Sequence, residues 1–241
     1  MNPLVTVITP TTGSDQLYDA IRSVERQTYA NIQHLIVIDG EQYSTKARDI
    51  ITGSYRSVVI TLPYNTGYDQ YNGHRIYGAM TFLAEGQYLC FLDQDNWYED
   101  NHIESLVDVI NQGNQWAYSL RKIVSQEGTY ICNDDCESLG KWTSVINDNF
   151  IDVNCFMIPK LAALQFAPYW YRRARHPQEQ PEVDRILSPF MMQNFKFDTN
   201  GQYTVNYRVA SRADSVQDVF FIRGNEVMKQ KMNGEYPWRK T

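Results

Sequence analysis

Four cysteines in 241 residues, irregularly spaced at positions 90, 132, 136 and 155, are too few for the disulfide framework of a secreted scaffold, and reduced thiols are the expectation. Cys132 and Cys136 enclose Asn-Asp-Asp, but no second pair completes a four-ligand zinc set, so this stretch reads as a polar loop with two incidental thiols. Nor is there an apolar run long enough to span a bilayer, and Met1-Asn2-Pro3-Leu4 is no basic leader, so a cytosolic protein is expected. A cationic excess is missing too. With 22 Lys and Arg against 28 Asp and Glu, the formal charge of -6 argues against nucleic acid as partner, because duplex binding displaces counterions with a basic surface. Finally, the first apolar run leads into Thr9-Pro10-Thr11-Thr12-Gly13, which lacks the glycine-rich phosphate turn of a dinucleotide-binding dehydrogenase.

What is present is an ordinary globular composition, 43% apolar and 21% charged, in a chain long enough to bury a large core. Apolar, β-branched runs at 4–9, 34–38, 57–62 and 88–92 read as buried strands. Between them, Leu17, Ile21 and Val24 recur at helical spacing, 44–52 is a weaker helical stretch, and Ile76, Ala79, Met80 and Leu83 stripe a helix over 73–85. Ile103, Leu106, Val107 and Ile110 mark another. Such alternation predicts an α/β fold with a mainly parallel central sheet flanked by helices. From about residue 115 the pattern changes. There 116–124 and 129–132 read as a hairpin, 150–158 as a strand, 183–195 as a helix and 203–209 as a last strand, which predicts a smaller mixed or antiparallel edge. Residues 167–181, rich in proline, aromatics and arginine, read as a mobile loop over a site. One domain over 1–241 is expected, with 1–112 and 113–241 as its halves and a C-terminal tail of mixed character.

The chemistry concentrates at Asp93-Gln94-Asp95-Asn96, which leaves the run 88–92 at the strand's carboxyl end, where open α/β sheets bind ligands. Two carboxylates one residue apart repel each other, so a cation and a phosphate-bearing partner would neutralise them. A metal-bound nucleotide is the ligand this predicts. A helix cap would explain one acid, not two after a buried strand.

The segments 7–11 (Val-Ile-Thr-Pro-Thr), 23–29 (Ser-Val-Glu-Arg-Gln-Thr-Tyr), 36–40 (Ile-Val-Ile-Asp-Gly), 65–67 (Asn-Thr-Gly) and 86–95 occur in the order and spacing of a known group. In them the chain resembles the family 2 inverting glycosyltransferases of the GT-A fold, closely over about the first hundred residues and loosely beyond. The resemblance implies a Rossmann-like nucleotide-sugar-binding half and an acceptor-binding half. It implies a UDP- or dTDP-sugar donor, a hydroxyl acceptor, a Mn2+ or Mg2+ cofactor, and a place in glycan or cell-envelope polysaccharide synthesis. Carried over by position, Thr9, Thr11 and Asp39 fall at the base and nucleoside, with Ile38 where the family often has a second acid. Asp95 falls at the metal, Asp93 at the metal or the ribose, and Gln94 beside them. Arg75 resembles the arginine ahead of the acidic strand, at a longer spacing than usual. In the later region, Asp184 matches the general base and Glu182 is its substitute; their plain role would be charge compensation at a helix start.

Trp170, Tyr171, Arg172, Arg173, Arg175 and His176 form an aromatic and cationic cluster that would close over the donor, with contact to anionic lipid, and hence peripheral membrane attachment, as the alternative. Trp97, Tyr98 and Trp142 would line an acceptor site or simply be core. Two other functions compete. A nucleotide-sugar-binding module without catalysis fits the same donor residues. An aspartate-nucleophile phosphatase shares Asp-x-Asp, but Asn96-Trp97 replaces the small turn and hydroxyl expected there.

Overall fold

A computed structural model describes residues 2–54, 56–68, 70–172, 183–210 and 216–240. The first half alternates as its pattern predicts: β1 (Val5–Thr11), α1 (Leu17–Glu25), β2 (Ile32–Ile38), α2 (Ser44–Ile51), β3 (Ser57–Thr61), α3 (His74–Leu83) and β4 (Tyr88–Phe91). All seven residues of β1 are buried, which is why it reads as a continuous apolar run and not as an alternating one. The four strands pair in parallel in the order β3-β2-β1-β4, so their carboxyl ends lie along one edge.

The rest of the chain comprises β5 (Trp97–Tyr98), α4 (His102–Asn111), β6 (Trp116–Val124), β7 (Tyr130–Asn133), β8 (Phe156–Pro159), α5 (Lys160–Phe166), α6 (Val183–Asn194), β9 (Phe197–Arg208) and α7 (Asp218–Lys231). It extends the same sheet in the order β4-β8-β6-β9-β5, with β7 paired to β6. The hairpin of β6 and β7 is there, but β6 is an interior strand, antiparallel to β8 and parallel to β9. One large apolar cluster takes residues from both halves, from Val5 and Ile8 to Phe156, Leu187 and Trp238.

Three expectations need correction. Ala167–Tyr171 is a short 3-10 helix, not a mobile loop, and Trp170 is 1% exposed. Its indole packs on Tyr77, Phe91 and Phe166 at centroid distances of 5.4, 5.4 and 5.6 Å, so burial of a large ring decides its place. Residues 173–182, including Arg173, Arg175, His176 and Glu182, lie outside the described residues. Cys136 is also core, its sulfur packed against Gly224 of α7, where an added Cβ would stand 2.6 Å from Sγ. The tail of mixed character contains α7, and Trp238 beyond it is fully buried, with its Nε1 donating to Asp135 at 2.7 Å.

The buried Gln27 fixes the segment after the acidic motif. Its Nε2 donates to the Glu99 carbonyl at 2.7 Å and its Oε1 accepts from the Ile103 amide at 2.9 Å, satisfying a first-turn N–H of α4 from another element. Thr28 N donates to the Asp100 carbonyl at 2.8 Å. The Gln-Thr pair of segment 23–29 is thus a clasp on residues 99–103, away from the chemistry.

Candidate active site

A polar cavity of about 490 Å³ opens at the carboxyl ends of β1, β2 and β4. Thr11, Asp39, Asp93, Gln94 and Asp95 all line it, brought together from three strands and the loops that follow. Gln94 does the joining. Its Oε1 accepts from Thr11 Oγ1 at 2.7 Å, Thr12 N at 3.0 Å and Ser14 N at 3.3 Å, so the β1 loop and the acidic motif move as one body.

On the opposite side, Asp39 organises the turn 65–67. Its Oδ1 accepts from Thr66 N at 2.7 Å and Thr66 Oγ1 at 2.8 Å, and its Oδ2 from Gly67 N at 2.9 Å. Turn formation and cavity lining are therefore the same residue's work, and Oδ2 keeps acceptor capacity for a ligand N–H. The N-terminus of α3 packs directly on β1: a Cβ at Gly73 would meet Pro10 Cγ at 2.3 Å, so only glycine allows this approach.

Asp93 and Asp95 sit in different environments. Tyr77 Oη donates to Asp93 Oδ1 at 2.6 Å and Asn154 Nδ2 to Oδ2 at 3.0 Å, while the Asp93 amide donates to Asn154 Oδ1 at 2.7 Å. Burial, and then the Asp95 carboxylate beside it, push the Asp93 carboxyl up to about 6, against the two hydrogen bonds that favour its charged form. Among the described residues, no donor is bonded to the carboxylate of Asp95, which borders the cavity half-exposed.

These oxygens fit a hard divalent cation. No cluster of three or more His, Cys, Asp or Glu able to hold a metal occurs among the described residues, but Mg2+ and similar ions are bound through one or two carboxylates with water and substrate phosphate completing the shell. Asp95 and Asp93 beside it supply that pair.

Two expected contributors lie elsewhere. Thr9 is fully buried behind the wall, its Oγ1 at 3.0 Å from Nε2 of His34, itself buried and held neutral down to about pH 3. Arg75 borders a separate groove with Gly78, Phe82 and Trp170. There its guanidinium lies 3.7 Å over the Tyr71 ring and donates to the Thr66 carbonyl at 3.0 Å, which supports the turn held by Asp39. Asp184 is on the first turn of α6, though its side chain, like all of Glu182, is outside the described residues. Trp142 packs edge-on against Trp238, and Tyr98 is core, donating to the Phe91 carbonyl at 2.8 Å.

Tyr207 and Arg208, at the end of β9, also line the cavity, and sequence reasoning passed over them. Their placement follows from β5. This two-residue strand leaves the acidic motif and pairs Trp97 with Asn206 and Tyr98 with Val205, which sets Arg208 beside Asp95 and Asn96. Arg208 N donates to Asn96 Oδ1 at 2.9 Å, and Arg208 Nη1 to the Asp95 carbonyl at 2.7 Å. A lone basic residue more than a hundred positions from the acids carries no local signal.

A cleft at the carboxyl ends of parallel strands, with paired acids at its centre, defines an α/β ligand-binding protein of the switch-point kind. The model of glycosyl transferase family 2 matches residues 6–173, and the chain belongs to that family. Among solved structures, the chain resembles S. aureus TarS 1-349 with a TM-score of 0.64 at 13% identity over 85% of this chain and 60% of that one. The same protein in complex with UDP-GlcNAc gives 0.66 at 12% identity over 95% and 66%. The full S. aureus TarS gives 0.62 at 11% over 98% and 44%, so the chain spans less than two thirds of these relatives' length. No curated protein matches the sequence. The GT-A fold expected from the sequence is the fold observed. No helix among the described residues is long and apolar enough to cross a membrane.

Proposed function

We propose that the chain moves a sugar from a nucleoside diphosphate donor, of UDP or dTDP type, to a hydroxyl acceptor by one inverting displacement, in glycan or cell-envelope polysaccharide synthesis. The observation that carries this reading is the pairing, in a polar cleft, of Asp93 with an Asp95 carboxylate that accepts from no donor among the described residues, in a chain of family 2. The base lies between the β1 loop and the Asp39 turn, where Asp39 accepts its N–H and Thr11 orients the nucleoside. Asp93 and Asp95 would hold Mn2+ or Mg2+, which would offset charge on the departing diphosphate. Asp184 takes the acceptor proton during attack, with Glu182 as its substitute. A neighbour solved with UDP-GlcNAc makes that compound the first donor to try.

The test is calorimetric binding of UDP-GlcNAc, with and without Mn2+, followed by turnover. Asp95→Asn should abolish the metal-dependent part of binding. Asp184→Asn should keep binding and lose roughly 10²- to 10⁴-fold in turnover, the size of a lost general base. Binding that neither needs metal nor changes in Asp95→Asn would sink the site; full turnover in Asp184→Asn would sink the base. Wild-type binding without turnover over a broad acceptor panel would instead favour a binding module.

A further inference from the structure

Arg208 is the sole cation among the described residues that line the cavity, where it faces the acids Asp39, Asp93 and Asp95. A charge of that sign in so acidic a cleft calls for a purpose. Its side chain is 3% exposed, and the guanidinium lies 4.8 Å from the centre of the Trp97 ring. Nη1 is committed to the Asp95 carbonyl. Nη2 donates to Asp19 Oδ2 at 2.9 Å, while the buried Nε has no hydrogen-bond partner among the described residues. Nε and Nη2 form the edge of a guanidinium that takes a carboxylate or phosphate with two parallel hydrogen bonds. Here that edge is half used.

Asp19 holds it loosely. Its side chain is 47% exposed, so the pair gains little from a low dielectric, and it lies in the first turn of α1, where the helix N-terminus stabilises a carboxylate that has let go. We propose that Arg208 binds the diphosphate of the donor through its Nε–Nη2 edge, and that Asp19 is an internal anion that occupies this edge until the diphosphate replaces it. This rests on the nucleotide-sugar reading of the same cleft. The geometry explains three things together: the unpaired buried Nε, a single-point ion pair where a two-point one is available, and an arginine anchored through its third nitrogen to the backbone of Asp95.

The two anions compete for one edge, so the two variants should act in opposite directions. Affinities for UDP and for uridine, measured by calorimetry in Mn2+ on the full chain, separate the diphosphate from the nucleoside. Arg208→Gln should weaken UDP at least tenfold and leave uridine unchanged. Asp19→Asn, at a half-exposed helix position where folding is secure, should tighten UDP several-fold, again without moving uridine. An Arg208→Gln protein with wild-type thermal stability and an unchanged UDP-to-uridine ratio would overturn the role of Arg208. Equal or weaker UDP binding in Asp19→Asn would overturn the exchange. Wild-type protein that binds neither compound would instead sink the nucleotide-sugar reading itself.

Discussion

The two halves of the molecule bury polar groups in opposite ways. In the first half the fully buried histidines are neutral. His34 and His102 are each pushed down to about 3 by that burial, and their partners are the hydroxyls of Thr9 and Thr204. In the second half a buried arginine and its carboxylates are ionised and paired. Arg121, 1% exposed, donates to Asp134 at 2.8 Å and to Glu137 and Asp152 at 2.5 Å each, while Arg185 bridges Glu137 and Asp148. Losing one partner of a buried neutral hydrogen bond costs about 1–3 kcal/mol, and stranding a buried charge about 3–5 kcal/mol. The half that carries the cavity's acids is thus held by separable pieces, and the half that braces it by a single electrostatic knot. The knot reaches the site: Asp152 Oδ1 accepts from Asn154 Nδ2 at 2.8 Å, and the same Nδ2 donates to Asp93.

Breaking the knot should have the largest effect. Arg121→Ala leaves three carboxylates buried around a cavity and is expected to cost about 3–5 kcal/mol, enough to unfold a marginal chain. Urea denaturation measures this, and a loss under 1 kcal/mol would mean that the carboxylates find other partners. The contrast sharpens with acid. A buried histidine whose folded pKa is lowered gains protons on unfolding, so its contribution is complete above about 6.5 and is lost as pH falls towards 3. Stability should therefore decline across this window, and His34→Gln should flatten the decline; identical slopes for variant and parent would show that His34 does not report the transition. Smallest, and local to the first half, is Gln27→Ala. It removes two backbone contacts at the start of α4 and should cost on the order of 1 kcal/mol, with faster amide exchange at Ile103 and no protection lost around Arg121. Exchange that rises equally in both halves would erase the distinction between them.

The first half was legible because β1 and most of β2 are buried on both faces and the helices on one, so the hydrophobic pattern carries the fold. The second half was less so. Strand β9 begins at Phe197, six residues before the expected Tyr203, because Asp198, Asn200, Gly201 and Gln202 give no strand pattern and the register shifts opposite Tyr118–Arg121. Strand β8 is shorter than read, since Asp152 and Asn154 turn inward to Arg121 and Asp93. Local motifs pointed to the three acids that line the cavity, but not to Asp19 or to Arg208, which arrives through the pairing of β5 with β9. Thr9 was misplaced for a related reason: a strand buried on both faces does not announce which side chains point to the ligand.

The strap formed by Gln94 has a bearing on how such a cleft could be retuned. Because Thr11, Thr12 and Ser14 are bound to the residue between the two acids, any change there is transmitted to the acids themselves. The facing turn, 65–67, hangs on Asp39, on Arg75 and on the Asn72 amide, with no bond to the acidic motif among the described residues. On the proposed function, altered donor preference is thus best sought by randomising Asn65 and Thr66, which can vary with the Asp39 turn while the frame of Asp93, Gln94 and Asp95 stays set.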